Sequence, residues 1–151
     1  MYRSIRVKVF VLFGLMITLI GCSQNAQFHY ANGDSGRLTD FQGRITVVNY
    51  WAEWCKPCLK EIPELSELHH SFDDVEVIAI NWDGIAGEPL TLAAEKLGID
   101  FPMIIEDISP LLNKKKPEVL PTTYIFDTSG TLVATLVGPQ TLASLTKAIG
   151  K

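Results

Sequence analysis

The stretch Trp54-Cys55-Lys56-Pro57-Cys58 constrains this chain more than any other. Two cysteines stand two residues apart, directly after residues 45–51 and directly before residues 59–72. The first of these flanks, Ile45-Thr46-Val47-Val48-Asn49-Tyr50-Trp51, is rich in β-branched and aromatic residues without polar alternation, which predicts a strand buried on both faces. The second carries Leu59, Ile62, Leu65, Leu68 and Phe72 at spacings of three and four, the single apolar stripe of a helix. The pair therefore sits where a strand hands over to a helix N-terminus. Backbone N–H groups point outward there, and the positive end of the helix dipole favours a thiolate over a thiol. The thiolate is the form that attacks disulfides, and a second cysteine one turn along is placed to displace a mixed disulfide. The reading is a redox-active dithiol, with an inert structural disulfide as the alternative.

Counting cysteines narrows the chemistry. There are three, and a pair is too few for a disulfide scaffold. Zinc would need two further ligands, and His69 and His70 are adjacent near the helix end, so they face different directions. Leu59 follows Cys58, which excludes a CxxCH haem attachment. No cofactor is expected.

The third cysteine belongs to the N-terminus. Arg3, Arg6 and Lys8 precede an uncharged apolar run over residues 9–20, too short to span a bilayer comfortably and ordered like a secretory signal. Leu19-Ile20-Gly21-Cys22 then resembles the lipobox of bacterial lipoproteins, in which the cysteine is lipidated and becomes the new N-terminus. The expected organisation is a signal peptide over 1–21, a tether over 22–27 and one folded domain over 28–151. The expected location is the bacterial cell envelope, lipid-anchored at Cys22 and facing the periplasm, with Ser23 leaning towards the outer membrane. Without the three basic residues of the signal the chain keeps ten Lys and Arg against seventeen Asp and Glu. No basic face points to nucleic acid. The run Lys114-Lys115-Lys116 reads as a solvated loop.

Further along, Val75-Glu76-Val77-Ile78-Ala79-Ile80-Asn81 predicts a second buried strand, residues 90–97 a short helix stopped by Gly98, and residues 101–105 a short strand. Pro63 lies inside the first helix and is expected to kink it. Residues 110–113 read as one helical turn. Residues 122–126 and 131–137 read as a hairpin about Asp127-Thr128-Ser129-Gly130, followed by a terminal amphipathic helix with Thr141 as its cap. The order β, α, β, α, hairpin, α predicts an α/β fold, a central mixed sheet with helices on both faces.

At this point the chain resembles the thioredoxin superfamily. Residues 49–58 are similar to its active-site stretch, and Val119-Leu120-Pro121-Thr122-Thr123-Tyr124 to its cis-proline loop. The resemblance covers most of residues 38–149. Within the superfamily it is most similar to the TlpA/ResA-like branch of membrane-anchored extracytoplasmic thioredoxins. The lipoprotein-type signal, a segment between Asn81 and Pro102 that resembles the branch's central insertion, and Cys58-Leu59-Lys60-Glu61-Ile62-Pro63, which resembles its CxxCxxExP pattern, all point there.

The resemblance implies a thioredoxin-like fold and a set of roles. Cys55 is the nucleophile and Cys58 the resolving thiol. Asn49 stands where thioredoxin carries a buried aspartate, and an amide cannot serve as that base. Glu61, three residues after Cys58 and on its helix face, is then the implied proton acceptor, with Glu53 as the rival acid. Trp54 and Pro57 would flank the site, and Lys56 would favour the thiolate. Leu120 and a cis Pro121 would present backbone to an extended client. The implied function is an extracytoplasmic thiol–disulfide oxidoreductase that reduces disulfide-bearing client proteins, apocytochrome c haem-binding thiols among them, supplied with electrons by a membrane thiol donor. The same site run as an oxidant or isomerase is the alternative, and a non-enzymatic lipoprotein binding module is the second. A peroxidase is disfavoured because the peroxidatic cysteines of related peroxiredoxins do not come as WCxxC.

Overall fold

The computed structural model describes residues 27–151. The signal peptide, Cys22 and tether residues 22–26 lie outside the described residues. Gln27, expected to end the tether, instead opens strand β1 (Gln27–His29), which pairs antiparallel with β2 (Ser35–Arg37). The main sheet follows from β3 (Ile45–Trp51), β4 (Val75–Asn81), β5 (Met103–Ile104), β6 (Thr122–Phe126) and β7 (Leu132–Val137). Its order is β5-β4-β3-β6-β7. Strands β3, β4 and β5 run parallel, while β6 and β7 run antiparallel to their neighbours, so the sheet is mixed as expected.

Three α-helices join the strands: α1 (Lys56–Ser71), α2 (Glu88–Leu97) and α3 (Leu142–Ala148). Helix α1 continues through Pro63, whose missing N–H removes one bond of its ladder. Gly98 stops α2 in the left-handed conformation (φ 70°), where a side chain would be strained. Thr141 caps α3, its hydroxyl accepting from the Ser144 N–H at 3.3 Å.

Helical elements cover both faces of the sheet, but unequally. Val47, Val77, Ala79 and Ile125 face one side, where Leu65 and Leu68 of α1, Leu90 and Ala93 of α2, and Leu145 of α3 close the core. Burying Leu65 and Leu68 completely contributes roughly 2–3 kcal/mol each. Val48, Tyr50, Ile78, Ile80, Tyr124 and Phe126 face the other side. There the cover is Phe28 of β1 and two single-turn 3-10 helices, Leu38–Phe41 and Ser109–Leu112, which bring Phe41, Leu111 and Leu112 onto the sheet. The alternation of β3 thus sends Asn49 towards the α-helices and Tyr50 towards the aromatic face. Among the described residues no helix is long and apolar enough to cross a membrane.

Candidate active site

The site forms at the carboxyl end of β3, where the chain turns into α1. Cys55 is the N-cap of that helix, and its Sγ accepts a hydrogen bond from the Cys58 N–H at 3.2 Å. No acidic residue occupies the first turn, so nothing there offsets the positive helix end. Pro57 lies in that first turn, where its missing N–H leaves no intrahelical bond unmade. Cys55 and Cys58 are joined in a disulfide, with Cα atoms 5.3 Å apart. Both are buried, Cys55 at 4% exposure and Cys58 at 1%. As the N-terminal member of the pair, nearest the helix end, Cys55 is expected to face solvent; it is instead nearly as buried as its disulfide partner. The two still differ in access: Cys55, and not Cys58, lines the surface groove beside the site.

Beneath the disulfide lies a buried polar cluster. Glu61 is fully buried, the only charged side chain in the core among the described residues. It shares the buried face of α1 with Cys58, one turn further along. Its Oε2 accepts from Asn49 Nδ2 at 3.1 Å, and its Oε1 from Thr123 Oγ1 at 3.4 Å and from the Gln140 N–H at 3.2 Å. Asn49 Nδ2 also donates to Thr123 Oγ1 at 2.9 Å, across a register in which Asn49 and Thr123 are direct partners of β3 and β6. Burial pushes the Glu61 carboxyl up from 4.5 to about 7, and the three donors only partly offset it. A group poised there exchanges protons near neutrality. Next along α1, Glu64 Oε2 accepts from the Leu142 N–H at 2.6 Å. Two glutamates of α1 therefore grip the chain entering α3. Glu53 is exposed and pairs with Lys96 of α2 at 3.2 Å, outside this cluster.

Above the disulfide an open groove of about 530 Å³ runs past Trp54, Cys55, Pro57, Trp82, Val119 and Leu120, with Lys56 and Glu118 also on its lining. The Leu120–Pro121 peptide bond is cis. The Pro121 carbonyl accepts from the Gly138 N–H at 2.9 Å, which ties this loop to the end of β7. Trp54 is 62% exposed, yet its position is set: its Nε1 donates to the Asp83 carboxylate at 2.9 and 3.2 Å.

The structure thus gathers Trp54, Cys55, Pro57 and Leu120 on one groove, with Cys58 bonded to Cys55 behind it, Pro121 following Leu120 through the cis bond, and Glu61 on the buried face of α1 that Cys58 shares. Sequence reading missed Thr123, Gln140, Trp82 and Asp83. The first two lie 62 and 79 residues from Glu61, and one of them acts through its backbone. Trp82 follows a buried strand and reads as one more core aromatic. Lys116, read as part of a solvated run, has its Nζ 4.3 Å from the centre of the Trp82 ring. Among the described residues no group of three or more His, Cys, Asp or Glu side chains is arranged to hold a metal.

Comparison with known proteins agrees with this geometry. Residues 23–135 match the AhpC/TSA family. A thiol-disulfide oxidoreductase ResA from Geobacillus thermodenitrificans is 35% identical over 114 residues, covering 72% of this chain and 63% of the relative. Another, from Bacillus thuringiensis subsp. konkukian, is 30% identical over 123 residues, covering 79% and 69%. The chain thus spans slightly under two thirds of the Geobacillus relative's length. Among solved structures, a DsbF homologue from Corynebacterium diphtheriae superposes with a TM-score of 0.68 at 28% identity, covering 83% of each chain.

Proposed function

Since the chain belongs to the AhpC/TSA family, and within it to the ResA-like thiol–disulfide oxidoreductases, we propose that it reduces disulfides of extracytoplasmic client proteins through Cys55 and Cys58. The observation that carries this reading is the cysteine pair at an uncompensated helix N-terminus, with one sulfur on a groove and a proton-exchanging carboxyl buried beneath.

In the reduced protein the Cys58 N–H and the helix dipole stabilise the Cys55 thiolate. That thiolate attacks one sulfur of the client disulfide, forms a mixed disulfide and releases the other client sulfur as a thiolate. Cys58 then gives its proton to the Glu61 carboxylate and attacks Cys55 Sγ. The mixed disulfide breaks, the second client thiolate leaves, and Cys55–Cys58 is restored as a disulfide. Two electrons pass to the client, and the protein's own dithiol is the reductant. A membrane dithiol donor regenerates it. Asn49 and Thr123 hold Glu61 in place, and Asn49 leaves the pocket with one carboxylate instead of two. Trp54, Pro57, Leu120 and Pro121 form the client surface, where extended client backbone pairs with the 119–121 segment as an added strand.

From the signal-like start, the lipobox-like stretch and Cys22 we infer a lipid-anchored protein of the cell envelope that faces the periplasm, with apocytochrome c thiols as the client class the family likeness suggests. Palmitate incorporation that disappears in Cys22→Ser tests the anchor. Turnover tests the function: pre-reduced protein should reduce insulin or a looped peptide, and Cys58→Ser should accumulate a mixed disulfide. Absence of both results overturns the assignment. Equilibration against glutathione decides direction, because reductants of this class lie near about −270 mV and oxidants near about −120 mV.

A further inference from the structure

Trp82 joins the three segments that build the groove. Its backbone N–H donates to the Trp51 carbonyl at 2.7 Å, at the end of β3. Its indole Nε1 donates to the Pro117 carbonyl at 2.7 Å, in the segment that leads to Leu120. Its ring meets Trp54 edge-on, with centroids 6.1 Å apart and planes at 86°. Asp83, its neighbour, holds the Trp54 indole, while Asn81 Oδ1 accepts from the Asp83 N–H at 2.9 Å and fixes the turn that follows β4. Two indoles are therefore fixed in orientation beside Cys55, although Trp54 is mostly exposed.

Such an arrangement is unusual for a surface aromatic. A freely exposed tryptophan needs no fixed orientation, and the neighbouring Val119 is likewise 55% exposed. Exposed apolar side chains that are contiguous and held rigid form a preorganised contact surface. The groove is continuous with the reacting sulfur, so whatever reacts with Cys55 lies over it. Lys56 and Glu118 lie on its lining, and beside it Lys116 sits over the Trp82 ring while Asp83 accepts from the Trp54 indole, so two cations stand against two anions and net charge selects nothing.

We propose that Trp82 is a specificity-determining residue: together with Trp54, Val119 and Leu120 it receives an aromatic or large aliphatic side chain next to the client cysteine. This rests on the oxidoreductase reading and adds the client's local chemistry to it.

The test uses pre-reduced protein and short peptides whose single cysteine is linked by a disulfide to thionitrobenzoate, differing only in the residues flanking that cysteine (Trp, Leu, Gly or Asp). Cys55 attacks the peptide sulfur and releases the thionitrobenzoate anion, which is read by absorbance. Cys58 then displaces the peptide thiolate. Trp- and Leu-flanked peptides should react roughly tenfold faster than the Gly-flanked one, equivalent to about 1.4 kcal/mol. In Trp82→Ala that ratio should fall to about twofold. Should Trp82→Ala not fold, Val119→Asp, at an exposed position, should lose the same preference. Equal rates for all peptides with the unaltered protein, or an undiminished ratio in the variants, overturns the proposal alone. A pre-reduced protein that fails to release thionitrobenzoate from its simple symmetric disulfide overturns the oxidoreductase reading and this inference with it.

Discussion

Asn49 and Tyr50 are neighbours on β3, and each heads a buried polar cluster on opposite faces of one sheet. On the α-helical face Asn49 and Thr123 hold Glu61. On the aromatic face the Tyr50 hydroxyl donates to Asp107 Oδ1 at 2.8 Å and lies 3.1 Å from Ser109 Oγ. Burial acts on both acids in the same direction and disfavours the charged form. The outcomes differ because the starting points differ. Glu61 rises from 4.5 to about 7 and reaches neutrality. Tyr50 starts from 10 and is pushed beyond any working pH, so it stays protonated. Desolvation of the same sign leaves one face with a carboxyl able to switch its proton near neutrality and the other with a fixed strut.

The contrast can be broken in order of size. Cys55→Ser should reduce disulfide turnover to background in an insulin assay, because the face that carries the switch then has no nucleophile. Glu61→Gln should slow the resolving step by about a hundredfold, the usual contribution of a positioned base, and remove the inflection near pH 7 from the rate profile. An unchanged profile removes Glu61 from the mechanism.

The same substitution has a stability signature. The folded protein holds a proton on Glu61 that the unfolded chain releases between 4.5 and about 7, so Glu61 makes stability fall as pH rises through that window. The full effect is on the order of 3 kcal/mol by pH 8. Urea titrations of the disulfide form should show this decline flattened in Glu61→Gln. Tyr50→Phe tests the other face. It should lower stability by about 1–2 kcal/mol, leaving Asp107 and Ser109 short of a partner, and leave turnover within about twofold. A large loss of activity there would show that the faces are coupled. Asn49→Asp should have the smallest effect, moving the upper inflection of the rate profile up by about one unit as two buried carboxyls come to share a proton.

The difference between the faces also marks how far the sequence could be read. Strand β3, helix α1 and the cysteine pair were legible because period and spacing are local properties. So was the likeness of Glu61 to Cys58 in helix face, since three residues make nearly one turn. The partners of Glu61 were not, because Thr123 and the Gln140 N–H reach it only through the pairing of β6 with β3 and the return of the chain into α3. Helix α2 was legible as a short helix with its Gly98 stop, but neither says which face of a sheet it will cover. Short 3-10 turns such as Ser109–Leu112 have too few residues for a period, so residues 110–113 read as one helical turn without any sign that the turn would cover the aromatic face. Trp82 was hidden for another reason: an aromatic after a buried strand looks like core until its hydrogen bond to Pro117 is seen.

Glu61 and Glu64 both hold backbone N–H groups at the entrance to α3. Helix α3 is therefore in mechanical register with the carboxyl that shares a helix face with Cys58. A substitution that shifts α3 on the sheet pulls on the same two carboxylates, so a change far from the sulfurs in sequence can alter the acidity next to them.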